Sequence, residues 1–506
     1  MWEKFKNDMA DDIFHRLLRH DKNIEYNDVI YNEALSKVED QVITITGKNL
    51  SSFGLSRPSR TNESRKKIFD NVLKPVESGE GGLYFLDAPG GTGKTFLLNI
   101  LLVQIRKDKK VAIAVSSSGI AATLLDSGRT AHSVLTLPLY FAHEETPICN
   151  FTKNSERCRM LQKCKLLVWD ECTLSHKRAV EALNRTMKDI NNNQSIMGEM
   201  VLLMAGDFRQ ILSVITRGTP ADEINACLKA SPLWEHVKKF NLTTNMRVQL
   251  FNDTESGEYA AILLKIGEGR FKTDPNSMIT LNGGFCEIAY STEKLISKVY
   301  QELQAYMGNR EWLCERAIFA PTNEIVAQIN EKNMSQVEGS ITEYLSVMDN
   351  EQVTSYPVEF LDSLEMSGVP RHKLRLKIGV PVLSMRNLNT KRLCNGVRLQ
   401  ITHLGSNIVR ATLLTGIARG ENVLIPRIPI IPTDLPFQFK RLQFPLKPVF
   451  GMTINKAQGQ TIKVACVHLE KPCFSQGQLY VACSRVSSTQ NLYIPSKSVK
   501  PKIYSV

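Results

Sequence analysis

The most restrictive feature of the chain is an apolar run that leads into a glycine-rich turn and then into a second apolar run. GGLYFLDA (81–88) is followed without a break by PGGTGKTFLLNILL. The first piece reads as a buried strand; the second reads as a loop opening a helix, with Gly-Lys-Thr in its first turn. Backbone N–H groups of such a loop, and the helix N-terminus behind it, point at an anion. The glycines permit the tight curl, the lysine reaches outer phosphates, and the hydroxyl can ligate Mg²⁺. Gly90, Gly91, Thr92, Gly93, Lys94 and Thr95 are therefore the expected nucleotide-binding residues, with Ala88 where the full pattern has glycine.

KLLVWDEC supplies the second half of such a site. An apolar strand ending in two carboxylates places Asp170 to hold Mg²⁺ beside Thr95, and leaves Glu171 to orient and deprotonate a water. The pair predicts hydrolysis of a nucleoside triphosphate rather than simple binding.

Other apolar runs of the same length, VAIAVSS (111–117) and VLLMAGD (201–207), alternate with helical stretches, as strands buried on both faces of a parallel sheet do. RAIFAPTN (316–323) leads into IVAQINEKNM, a second strand entering a helix. A chain of 506 residues exceeds one ordinary core. The expected fold class is α/β, with two lobes each built on a parallel sheet. We expect a helical leader and linker over 1–60 and a first lobe over 61–248, with a wedge-like insertion near 134–163. A second lobe then falls in two parts, 249–373 and 441–506, around a β-rich insertion at 374–440 where NG, RG and Pro turns separate short strands.

Charge is concentrated in that insertion. The chain carries 63 Lys/Arg against 51 Asp/Glu, a net charge of +12. Residues 371–450 hold fourteen basic side chains and only two acids, enough to account for the whole excess. Such a stretch fits either a polyanion partner, most often nucleic acid, or a solvated basic face. No run of eighteen apolar residues exists, which predicts no membrane span, and the N-terminus, which mixes acids with bases, lacks the apolar core of a signal peptide. Eleven scattered cysteines without a CxxC pair read as reduced thiols rather than as a metal site.

Several later motifs, in order, make the reading specific. AGDFRQ (205–210), LTTNMR (242–247), TINKAQGQT (453–461) and YVACSRV (480–486) resemble motifs of superfamily-one helicases, and SSSGIAATLLDSGRTAHS (116–133) resembles their segment that touches single-stranded DNA. Together they resemble the petite-integration-frequency (Pif) helicases, and in wording most closely the helicase part of Helitron-type transposon proteins, over about residues 65–495. The resemblance implies two RecA-like P-loop NTPase lobes, with a small SH3-like barrel as the second-lobe insertion. It implies ATP and Mg²⁺ as cofactors and single-stranded and forked DNA as partners. The implied activity is ATP-dependent 5′-to-3′ translocation and unwinding, in DNA repair, recombination and telomere maintenance, in the nucleus or, alternatively, the mitochondrion.

Residue by residue, the resemblance gives Gln210 the sensing of the γ-phosphate. It gives Arg247 and Arg485 the neutralising of that phosphate from the second lobe, and Gly459 a place on the nucleotide. Ser118, Gly119, His132 and Ser133 in the first lobe, and Thr453 and Asn455 in the second, fall where the family touches DNA. Small hydroxyl and amide groups suit contacts that position a strand without reading it.

Departures from the family are specific. The glutamine that reads adenine ahead of the phosphate loop is missing, and Ser64 or Arg65 falls near its place. Ser213 stands where proline is common, IMGEM replaces a glycine pair, and Gln476 stands where the transposon proteins carry histidine. No two of the nine histidines are separated by one residue, so the nuclease chemistry of full Helitron proteins is not expected here. Two other readings stay open at this point: a non-helicase P-loop ATPase, and a DNA-binding relic that no longer turns over.

Overall fold

The computed structural model describes residues 63–138, 146–215, 218–246, 254–271, 279, 281, 284–289, 297–348, 357–364, 366, 368–389, 392–416, 418–431 and 440–495. Thirteen scattered positions within 1–50 are described as well. Most of the expected leader, part of the expected wedge-like segment and Arg247 lie outside the described residues.

The first lobe is a six-stranded parallel sheet of β1 (Gly82–Asp87), β2 (Val111–Ser116), β3 (Arg129–Thr130), β4 (Cys164–Asp170), β5 (Val201–Gly206) and β6 (Val237–Asn241). Their order is β3-β2-β4-β5-β1-β6. Side chains alternate along β1. Tyr84 and Leu86 pack with Leu97, Leu98 and Leu101 of the helix Lys94–Lys107, whereas Leu83 and Phe85 pack on the opposite face with Val180 and Leu183 of the helix Lys177–Asn191. Both faces are covered, which explains why these strands read as unbroken apolar runs. Because β4, β5 and β1 are neighbours, their carboxyl ends bring the DE pair, AGDFRQ and the phosphate loop to one edge. Open α/β sheets place their ligands at that edge.

The second lobe repeats the plan with β7 (Glu287–Ala289), β8 (Arg316–Ala320), β19 (Gly451–Thr453), β20 (Val464–Val467) and β21 (Leu492–Pro495), parallel throughout in the order β19-β8-β20-β21-β7. The chain forms two RecA-like lobes. Between β8 and β19 it makes an antiparallel excursion wider than the 374–440 expected from turns. Two small sheets are built from β9 (Thr342–Leu345), β10 (Val347–Met348), β11 (Lys373–Leu376), β16 (Ile428–Ile430) and β17 (Arg441–Gln443). A five-stranded sheet is built from β12 (Pro381–Ser384), β13 (Arg398–Leu404), β14 (Ile408–Leu413), β15 (Asn422–Pro426) and β18 (Leu446–Pro448), in the order β15-β14-β13-β12-β18. β9, β10 and β18 escape a reading by turns because each is only two to four residues long.

The basic count of this region is not a map of its surface. Arg398 is fully buried and donates to the carbonyls of Leu313 (2.9 Å), Cys314 (3.0 Å) and Arg316 (3.1 Å). Arg441 is equally buried and holds the carbonyls of Leu361, Pro370 and Leu364, and Lys377 donates to Val337 O. Arg375, Arg392 and Arg419 pair with Glu343, Glu421 and Glu311. Among the described residues, no helix is long and apolar enough to cross a membrane.

Candidate active site

The phosphate loop leaves β1 and turns through Gly91 (φ 85°) and Gly93 (φ 80°), a left-handed conformation that favours glycine. Space is a second reason for glycine at 91: a Cβ there would lie 2.5 Å from Asn245 Oδ1. The segment LTTNM thus docks directly on the loop, and Met246 N donates to Gly91 O at 2.9 Å. From the other side Arg65 Nη2 donates to Thr92 O at 2.8 Å. Near the place of the missing adenine-reading residue, a guanidinium therefore braces the loop.

Lys94 opens the helix behind the loop, and its Nζ lies 2.6 Å from Asp170 Oδ1 and 2.7 Å from Glu171 Oε1. Both carboxylates are buried. Glu171 sits at φ 49°, ψ 37°, so the chain turns sharply past the end of β4. A left-handed non-glycine residue costs on the order of 1–3 kcal/mol, strain of a kind that gathers at functional sites. Burial alone would raise the Glu171 carboxyl, but the charge and hydrogen bond of Lys94 outweigh it and hold the group below its usual value. Burial, with repulsion from Glu171, lifts Asp170 above its usual value against the pull of Lys94. Burial opposes the charge on Lys94, but the two carboxylates prevail and raise it, so the ammonium stays charged.

The second lobe reaches this cluster through Gln458, which sequence reasoning did not single out. Gln458 Nε2 donates to Gln210 Oε1 at 3.0 Å and to Glu171 Oε2 at 3.4 Å, and its buried Oε1 has no hydrogen-bond partner among the described residues. Gln210 is thereby joined to the carboxylates. Arg485 is held in its own lobe by Val481 O, Gln460 O and Ser484 Oγ, and acts on Glu171 through its field. Gly459 is seated against Ile120 and Ala121 of the first lobe.

The positions expected on DNA form two groups. Ser118 and Gly119 lie where β2 ends, tied to the end of β4 because Ser117 N donates to Asp170 O (3.1 Å) and Trp169 Nε1 to Ser117 Oγ (2.9 Å). Gly119 faces the loop before β13 so closely that a Cβ would lie 2.8 Å from Asn395 O. His132 is exposed, and Ser133 Oγ donates to Thr130 O. In the second lobe Thr453 precedes the short helix Ile454–Ala457, and Asn455 Oδ1 accepts from Gln478 Nε2 at 3.1 Å.

Residues 60–277 match the family model of the PIF1-like helicases, and residues 359–404 match that of the 2B domain of DNA helicase Pif1. Over these two stretches the chain is similar to the PIF1-like helicases. It is 24% identical over 459 residues to the ATP-dependent DNA helicase Pif1 of Psychrobacter sp., covering 81% of this chain and 65% of that one. It is 25% identical over 433 residues to the ATP-dependent DNA helicase PIF1 of Danio rerio, covering 84% and 60%. The chain thus spans about three fifths of the length of these curated relatives. In fold it resembles Bacteroides Pif1 bound to ssDNA, with a TM-score of 0.61 at 20% identity over 85% of this chain and 91% of that one. A crystal structure of the Bacteroides helicase with ADP-AlF3 and ssDNA gives 0.62 at 20% identity, over 87% and 94%. The 2B match lies within the antiparallel excursion of this chain and includes the whole of β11, β12 and β13.

Proposed function

We propose that the chain is an ATP-dependent DNA helicase that hydrolyses ATP with Mg²⁺, moves 5′-to-3′ on single-stranded DNA and opens forked duplexes. One arrangement carries this reading. Lys94, Asp170 and Glu171 belong to the first lobe, and Gln458 of the second reaches Glu171 and Gln210 together. The group suited to deprotonating water is held from both lobes, so hydrolysis and lobe movement share residues.

The donor set suits Mg²⁺. Thr95 and Asp170 offer two hard oxygens, and such an ion takes its remaining ligands from waters and substrate phosphates. When bound, the ion neutralises phosphate charge. Lys94 then exchanges its carboxylate partners for outer phosphate oxygens, which frees Glu171 to accept a proton from water. Gln458, with its unpartnered Oε1, can accept a hydrogen bond from that same water. Arg485 adds positive charge as the second lobe closes, and Arg247 adds to it.

On the DNA side, Ser118, Gly119, His132 and Ser133 face one stretch of the strand, and Thr453 and Asn455 the next. Repair, recombination and telomere maintenance in the nucleus belong to the same proposal, as the roles implied by the family resemblance. A tagged chain confined to mitochondria would move the site of action there.

The test compares ATPase with and without single-stranded DNA for the wild type, Lys94→Ala and Glu171→Gln. Unwinding is followed on forks with a 5′ or a 3′ loading strand. Hydrolysis that ignores DNA would sink the motor reading; rates equal to both variants would leave a binding protein without turnover.

A further inference from the structure

One buried polar contact crosses between the lobes without touching the hydrolytic residues. Tyr480 OH donates to Asp207 Oδ2 at 3.1 Å. Both residues are buried, Asp207 completely. The other oxygen of Asp207 accepts from Arg209, at Nε (2.5 Å) and at the backbone N (3.1 Å). Arg209 in turn pairs with Asp87 at the end of β1 (3.0 Å) and reaches Glu268 of the second lobe (3.6 Å).

Packing leaves little slack at this point. A Cβ on Gly267 would lie 2.8 Å from the Tyr480 ring and 2.9 Å from Arg209 Cβ, and a Cβ on Gly477 would collide with the backbone of Gln210. Asp207, Arg209 and Gln210 are thus gripped by two segments of the second lobe, 267–268 and 477–480, and Gln210 is also the residue that meets Gln458.

We propose that Tyr480 and Asp207 form a latch between the lobes, and that Tyr480 is a positioning residue transmitting lobe closure to Gln210. The physical reason is the isolation of Asp207. With Tyr480 in place both carboxylate oxygens are satisfied; with the lobes apart, one loses its partner and must recover it from water. The contact therefore favours one lobe arrangement over another, which a solvated pair does weakly. Burial, reinforced by the Asp207 charge, pushes the Tyr480 phenol far above its usual value, so the proton stays on tyrosine and the bond keeps its direction.

The effect on turnover rests on the motor reading above; the latch itself does not. The experiment pairs hydrogen exchange with kinetics on Tyr480→Phe, Asp207→Asn and the double variant. In Tyr480→Phe, amides of 205–210 and 478–483 are expected to exchange about tenfold faster, the size of one lost hydrogen bond to a charged group, with β8 unchanged. DNA-stimulated kcat falls about tenfold while KM for ATP stays within about twofold, and the double variant is no worse than the worse single one. Exchange at 205–210 equal to wild type would overturn the latch. Faster exchange throughout the second lobe, with kcat and KM unmoved, would also overturn it, because that is what a merely structural contact gives. Should the wild type show no stimulation by DNA while exchange still responds to Tyr480→Phe, the motor reading fails and the latch stands.

Discussion

The ammonium of Lys94 sits 2.7 Å from the carboxylate of Glu171, 77 residues further along the chain. One cation thus serves both the phosphate loop and the end of β4, and its removal leaves two buried carboxylates facing each other. Lys94→Ala is expected to destabilise the fold by about 3–5 kcal/mol, as loss of one partner of a buried pair does. It also lowers ATP hydrolysis by at least about 100-fold. Thermal melting and steady-state ATPase read the two effects separately; wild-type hydrolysis in Lys94→Ala would remove Lys94 from the chemistry.

Gln458→Ala removes the side chain that joins Gln210 to Glu171. Its loss costs one neutral and one charge-assisted hydrogen bond, roughly 2–3 kcal/mol together, or about 30–150-fold in kcat. Because the lost amide lies beyond the phosphate loop, KM for ATP should move far less than kcat. The reverse pattern, KM raised and kcat kept, would mean that Gln458 only helps to bind the nucleotide.

Arg65 acts on the loop from outside through its bond to Thr92 O. Arg65→Ala is expected to raise KM for ATP about tenfold or more, since the loop loses a bond of about 1.5–3 kcal/mol that holds its curl. Nucleotide titration with a fluorescent ATP analogue checks this, and unchanged affinity would leave the brace without a function.

The thiols give a pH prediction. Burial pushes Cys149 up to about 11, and Cys164 and Cys286 up to about 12. A raised thiol value means less thiolate at any given pH, so these groups stay unreactive at pH 8 and remain so at pH 9.5. Cys314 is only partly buried and should react first with iodoacetamide, faster as the pH rises. Peptide mapping after native alkylation decides; Cys164 modified ahead of Cys314 would contradict the burial.

Arg398→Leu tests the anchoring of the insertion. It removes one donor from three backbone carbonyls at once, and melting should fall by the equivalent of about 3–5 kcal/mol. A loss below about 1 kcal/mol, within the range of exposed ion pairs, would show that water replaces the guanidinium freely.

Much of the fold could be read from the chain where a strand is buried on both faces. β1, β2, β4, β5 and β8 coincide with the apolar runs, and the helix Asn323–Gln336 follows β8 as expected. β6 escaped because it is an edge strand reading VKKFN, whose lysines look solvated. In the structure Lys238 lies over the Tyr84 ring and Lys239 over the Trp234 ring, so their positive ends rest on aromatic faces. The meeting of Lys94 with Asp170 and Glu171 was foreshadowed because each half is a local motif: the loop and its lysine lie within a few positions, and the two carboxylates are adjacent. Gln458 was not, because its partners stand 248 and 287 residues away and meet it only when the lobes face each other. Charge was the least legible. Arg398 and Arg441 count as surface cations in a sequence, yet each closes three backbone carbonyls inside the fold.

The site of that first guanidinium has a mechanical meaning. Arg398 begins β13, while the carbonyls it grips belong to Leu313 and Cys314 and to Arg316 at the root of β8. The insertion is therefore fastened by a buried cation to the end of the helix Arg310–Cys314 and the start of β8, not by the connecting chain alone. Displacing β13 would thus break three hydrogen bonds to that root at once.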